Sequence, residues 1–138
     1  MGSEMCIRDR ETLHHVHADD VAQAFQLAVE RPEGADSRAF HVVSERAVTL
    51  RGYAEQAATW WGRTADLEFR PFDAFAATTT EDHAATTLDH ISRSPSASIE
   101  AAREHLGYAP RCTSLDTARE ALTALAARDG SGIPLLQG

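Results

Sequence analysis

Twice in its first half the chain runs a short apolar segment into a helix-length apolar stripe, and this alternation confines it to folds that mix strand with helix. Residues 13–17 form a short candidate strand. Asp19 or Asp20 then offers an N-cap oxygen and a negative charge where a helix dipole favours one. The helix that follows is predicted to reach about Glu30, with Val21, Phe25, Ala28 and Val29 on the i, i+4, i+7, i+8 stripe of a core-facing surface. Arg31-Pro32-Glu33-Gly34 stops it. Residues 39–43 are apolar except for His41, as in a strand buried on both faces. Thr49 caps a second helix whose inner face is Leu50, Tyr53, Ala54, Ala57 and Trp61, closed by Gly62. Ala65, Leu67 and Phe69 alternate with polar residues, which predicts a third strand before Pro71.

Beyond Pro71 the periodicity weakens, because the threonine runs at residues 78–80 and 86–87 are poor helix formers. One or two helices are expected there, one over residues 81–90. Ser98 then caps a helix with Ile99, Ala102 and Leu106 inward, ended by Gly107 and Pro110. Thr113 and Asp116 have capping-box spacing, and Leu115, Ala118, Leu122 and Leu125 make the last stripe. Residues 131–138 read as a frayed tail. The opening string MGSEMCIRDR has no period, cap or turn logic and resembles translated sequencing-adapter read-through, so residues 1–10 are expected to be a non-native or disordered tail. The expected folded unit is residues 11–130. Its core is thin: Val, Ile, Leu and Phe total 26 of 138 residues, while alanine alone supplies 25. A chain of this kind is a thinly cored domain or a piece of something larger.

Thirteen basic residues, all arginine, face 21 acidic ones, a formal charge of −8 at neutral pH. Phosphate backbones and anionic membrane surfaces repel such a chain, so neither nucleic acid nor membrane is an expected partner. No apolar stretch approaches the ~18 residues of a membrane span, and no signal-like apolar core opens the chain, so a cytoplasmic location is expected. Cys6 and Cys112 have neither CxxC nor metal-ligand spacing, which fits two free thiols. With no lysine, this polypeptide holds no Schiff-base lysine, no P-loop lysine and no Tyr-x-x-x-Lys relay.

The densest polar cluster is His14-His15-x-His17-x-Asp19-Asp20. Imidazoles two apart on a strand share a face, so His15 and His17 with a carboxylate have the makings of a metal site. Residues 15–20 nearly spell the H-x-H-x-D-H signature of metallo-β-lactamase-like hydrolases, with Asp20 where the last His belongs. His41, His83, His90 or His105 would have to complete that site. A strand whose trailing aspartate caps a helix accounts for the same residues, so no metal is expected. Cys112 precedes a helix N-terminus, where the dipole favours a thiolate, but no general base is tied to it. Trp60-Trp61 reads as a core anchor with a partly exposed neighbour. No G-x-S-x-G, H-E-x-x-H, G-x-G-x-x-G or P-loop occurs.

Three segments together resemble the extended short-chain dehydrogenase/reductases, the NAD-dependent epimerase/dehydratase family. His15-Val16-His17-Ala18-Asp19-Asp20-Val21-Ala22 resembles the family's V-H-V-x-D-v-A, where a strand enters a helix after the catalytic half. Phe40-His41-Val42-Val43-Ser44, followed by Thr49, resembles its Y-N-v-g-s...T strand and helix. The run from Ser98-Ile99-Glu100-Ala101-Ala102 through Leu106-Gly107-Tyr108-Ala109-Pro110 resembles its D-x-s-k-A-x-x-x-L-G-w-x-P helix and turn.

The resemblance implies a parent enzyme with a Rossmann domain that binds NAD or NADP, transfers a hydride, and uses a Tyr-x-x-x-Lys pair as acid/base. Residues 11–130 would supply the last strands of that sheet and a small helical substrate-binding lobe, an incomplete α/β unit that binds no cofactor alone. The family's diphosphate-holding arginine is displaced to Arg93 or lost, His41 replaces the usual Asn, and Ser98 stands where a capping Asp is common. The implied substrate is a sugar nucleotide or a related carbonyl or alcohol, with His15, His17, His90 and Arg93 as candidate substrate contacts. Asp20, Thr49, Ser98 and Thr113 are the expected caps. Helix faces that should lie on a sheet would stay exposed and invite self-association. Two rival readings are a standalone protein-interaction module and a metal-dependent hydrolase built on His15 and His17.

Overall fold

The computed structural model describes residues 11–68, 70–93 and 96–137. They form a mixed α/β structure that is mostly helical, with one two-stranded antiparallel sheet. The expected tail at residues 1–10, which includes Cys6, and Phe69 of the expected third strand lie outside the described residues.

Strand β1 (Thr12–Leu13) pairs with β2 (Val48–Thr49) in the register Thr12↔Thr49, Leu13↔Val48. The sheet departs from the expected strands over 13–17, 39–43 and 65–69. Residues 14–17, 39–44 and 65–68 carry no ladder, although the Ser44 amide donates to the His15 carbonyl at 3.0 Å. An apolar run can be a strand only where a neighbour completes its backbone hydrogen bonds. The described residues give the 39–43 run no neighbouring ladder.

Helix α1 (Ala18–Glu30) starts as expected but turns a different face inward. Asp20 and Ala24 are buried and Leu27 packs on the core, whereas Phe25 is 72% and Val29 81% exposed. The cap also differs, since His17 rather than Asp20 closes the helix, its Nδ1 accepting from the Asp19 amide at 3.1 Å. Asp20 sits in the first turn, where its charge suits the dipole, and its side chain reaches away from the helix end.

Helix α2 (Pro32–Ala35) follows at once, with proline at its first position. A Cβ on Gly34 would collide with the His105 carbonyl, so glycine sets how closely α2 approaches the next helix layer. In α3 (Leu50–Thr59), Thr49 Oγ1 accepts from the Gly52 amide at 3.0 Å. Trp60, at 5% exposure, is the buried anchor in place of the expected Trp61, whose indole N–H donates to the Pro134 carbonyl.

The threonine-rich region forms α4 (Phe72–Ala76) and α5 (Glu81–Arg93). Thr80 Oγ1 accepts from the His83 amide, so a threonine that weakens a helix interior serves at its start. Helix α6 (Glu100–Leu106) buries Ile99, Ala102 and Leu106 and ends at Gly107, whose φ of 76° is the left-handed stop that glycine permits. Its N-cap is Ile99. Ser98, expected there, stands one residue earlier and accepts from the Glu100 amide at 3.2 Å. Helix α7 (Ser114–Ala126) opens with a complete Thr113/Asp116 capping box. Residues 131–137 carry no helix or strand, and Gln137 donates to the Trp60 carbonyl at 2.7 Å while its own carbonyl accepts from Arg119.

Ala24, Ile99, Ala102 and Tyr108 make the central core, with Leu27, Phe40, Val42 and Val43 packed against it. Tyr108, with no exposed surface, donates its hydroxyl to the Val43 carbonyl at 3.0 Å.

Candidate functional site

The histidines singled out in the sequence do not share one task. His14 is a brace: its Nε2–H donates to the Ser44 carbonyl at 2.8 Å and its Nδ1 accepts from the Ala97 amide at 3.1 Å. His15 lies over Tyr53 of α3, ring centroids 6.3 Å apart and planes inclined by 29°. Burial pushes its pKa down, and the nearby His14 and His90 push it further. It is a neutral imidazole whose buried Nδ1 has no hydrogen-bond partner among the described residues.

His17 is engaged elsewhere. Its Nδ1 caps α1 and its Nε2–H donates to Glu120 Oε2 on α7 at 3.0 Å. That bond, above all, holds its pKa above the ordinary value, aided by the charges of Glu120, Asp19 and Asp20. His15 and His17 therefore serve opposite ends of the segment. Among the described residues, no group of three or more His, Cys, Asp or Glu is placed to hold a metal ion. His90 is exposed on α5, and Arg93 is exposed and paired with Asp89 at 2.8 Å.

The polar groups buried most deeply are structural. Asp20, 1% exposed, accepts from the amides of Arg111 at 2.9 Å and Cys112 at 3.1 Å, closing the turn before α7. Ser44 and Ser114 share a 2.7 Å hydroxyl bond, one donating to the other, and the hydroxyl that accepts donates its own proton to the Arg46 carbonyl, which lies within reach of both. Burial, with the charges of Asp20, Asp116 and Glu120, pushes the Cys112 thiol up, which reverses the effect expected of a helix N-terminus and leaves a poor nucleophile. Tyr108 is pushed up to about 12 by burial and the Asp20 charge, so its hydroxyl is a permanent donor.

Sequence reasoning missed a cavity of about 300 Å³ between α3, α4 and α5. Leu50 and Ala54 of α3, Leu67 of the segment before α4, Phe72 and Phe75 of α4, and Ile91 of α5 give it mostly apolar walls. Glu11, Arg51, Glu68 and Thr87 add polar groups. Helices α3 and α5 also carry Tyr53 and His90, so the cavity and the His15 cluster hang on the same two elements. No family model, curated protein or solved structure matches the chain. The cavity opens to solvent, and its size and lining suit a small apolar body oriented by a few polar atoms. The one local signal for it was the Phe72/Phe75 pair at i, i+3, on the region of weakest periodicity.

Proposed function

We propose that residues 11–130 are the C-terminal substrate lobe of an NAD(P)-dependent epimerase, dehydratase or reductase of the extended short-chain type, acting on a carbonyl or alcohol. One observation carries the reading: the three segments that resemble the family build a single core. Asp20 of the first accepts from backbone just past the third, Tyr108 of the third donates to Val43 of the second, and Ala24, Phe40, Val42 and Ile99 meet around them. The exposed stripe Ala18, Ala22, Phe25, Val29 on α1 supports it, since a helix apolar on its outer face is shaped to lie on a sheet.

The residues present do not fit the dinucleotide itself. A pyrophosphate seeks a helix N-terminus opened by glycines. Here α1 carries Asp19 and Asp20 in its first turn and α7 carries Asp116, charges that repel phosphate, and at the start of α3 the Gly52 amide is already taken by Thr49 Oγ1. Hydride transfer and the acid/base pair are assigned to a half of the enzyme that residues 11–130 do not include. The test is the genomic DNA preceding the Glu11 codon. The reading expects an open frame encoding a Gly-rich βα turn and a Tyr-x-x-x-Lys; a ribosome-binding site and start codon there would overturn it. The α1 stripe also favours a second reading, a self-associating interaction module, for which a discrete dimer in sedimentation would speak.

A further inference from the structure

We propose that the cavity between α3, α4 and α5 takes an uncharged small molecule with an aromatic or branched aliphatic body and one hydroxyl or carbonyl group, and that it rejects sugar nucleotides. That this molecule is the enzyme's substrate rests on the family reading above; that the cavity binds it does not. Size is the first argument. An apolar cavity of about 150 Å³ holds benzene, so the about 300 Å³ here buries a body of about ten heavy atoms. A sugar nucleotide is several times larger.

Chemistry is the second argument. Leu50, Ala54, Leu67, Phe72, Phe75 and Ile91 offer no partner to a sugar ring's hydroxyls, each of which would lose hydrogen bonds to water on entry. The Thr87 hydroxyl in the lining matches one such group. Charge is the third. A diphosphate needs guanidinium forks, but the cavity sets two carboxylates, Glu11 and Glu68, against one guanidinium, Arg51. Arg51 bonds Glu55 at 2.8 Å, and Arg70 beside the rim is tied to Glu68. Arg93, the displaced clamp, is paired with Asp89 and lies outside the lining.

The test is an amide-resolved NMR titration of the full chain with 1-phenylethanol, with uridine diphosphate as the charged comparison. 1-Phenylethanol should shift the Ala54, Leu67 and Phe75 amides saturably with a Kd of about 0.1–1 mM. Uridine diphosphate should produce no saturable shift there up to about 10 mM. Ala54→Leu fills the cavity and should weaken 1-phenylethanol at least about tenfold, while Phe25→Ser on the outer face of α1 should leave its Kd unchanged. Should Ala54→Leu fail to fold, Thr87→Val keeps the shape, and should weaken 1-phenylethanol about three- to tenfold while leaving ethylbenzene unaffected. Absence of saturable shifts at these amides, or tighter binding of uridine diphosphate, overturns the proposal. 1-Phenylethanol binding combined with an upstream frame lacking the Gly-rich turn would overturn the family reading and leave the cavity assignment standing.

Discussion

Asp20 is a charged residue at 1% exposure, and what makes that position tenable is the pair of amide donors, Arg111 and Cys112, that converge on its two oxygens. Removing the carboxylate leaves two part-buried backbone N–H groups without their acceptor. Asp20→Ala is expected to cost about 2–4 kcal/mol in urea denaturation, and Asp20→Asn less, because the amide keeps one acceptor. A loss below about 0.5 kcal/mol would mean that the turn finds other partners. The histidines give a second residue-scale prediction. His17, held up by Glu120, should titrate above the ordinary imidazole value of 6.5, and His15, held down by burial, below it. For His17 the folded pKa exceeds the unfolded one, so its contribution to stability is full below pH 6.5 while Glu120 stays ionised, and it is lost as pH rises through the folded value. For His15 the sign reverses: the unfolded chain takes up the proton first, so folding loses stability as pH falls through 6.5. NMR titration of Glu120→Gln should bring His17 down toward 6.5 without moving His15. A His17 midpoint unchanged in that variant would remove Glu120 as the cause.

Elements were legible in the sequence where their determinants are local. Thr49 and Thr113 close their helices through bonds to the third residue on, and Gly107 ends α6 by its own φ of 76°. What the sequence did not contain is which side of a helix the rest of the chain covers. On α1 two faces compete, and the apolar stripe of Val21, Phe25 and Val29 loses to Asp20, Ala24 and Leu27, because Asp20 finds two amide donors and the small Ala24 lets Ile99 and Tyr108 close in. Likewise the run at residues 39–43 announces a buried strand, yet a ladder is a property of two segments and its partner is not encoded nearby. The cavity, assembled from α3, α4 and α5, left only the Phe72/Phe75 pair as a local trace, for the same reason. Gly107 offers an element-scale test. Its Cβ would run into the Arg31 guanidinium, whereas Gly130, at a similar φ of 75°, has nothing within 4 Å. Both alanine variants carry the left-handed backbone cost of about 1–2 kcal/mol, and Gly107→Ala should exceed Gly130→Ala in urea denaturation. Equal losses would show that Arg31 simply swings away.

At the scale of the whole molecule the thin core has a measurable consequence. The buried apolar side chains among the described residues are Ala24, Trp60, Ala84, Ile91, Ile99, Ala102, Leu106, Tyr108 and Ala118, four of them alanine. Meanwhile Phe25 and Val29 stand 72% and 81% exposed on one helix face. Fully covering two such side chains is worth about 3–6 kcal/mol. In a symmetric pair of copies the gain doubles to about 6–12 kcal/mol, which is no larger than the 4–15 kcal/mol lost in bringing two free molecules together. A sheet continuous with the same chain escapes most of that loss. On the reading proposed above the face meets an intramolecular neighbour, and the chain by itself should associate only weakly. Sedimentation should find an average mass that rises only toward about millimolar concentration, and Phe25→Ser with Val29→Ser should suppress the rise. Because both side chains are already in water, the same double variant should change urea stability by less than about 0.5 kcal/mol per site. A nanomolar dimer through this face would instead make it an interaction surface in its own right, and a large loss of stability in the double variant would mean that the stripe is packed within the fold.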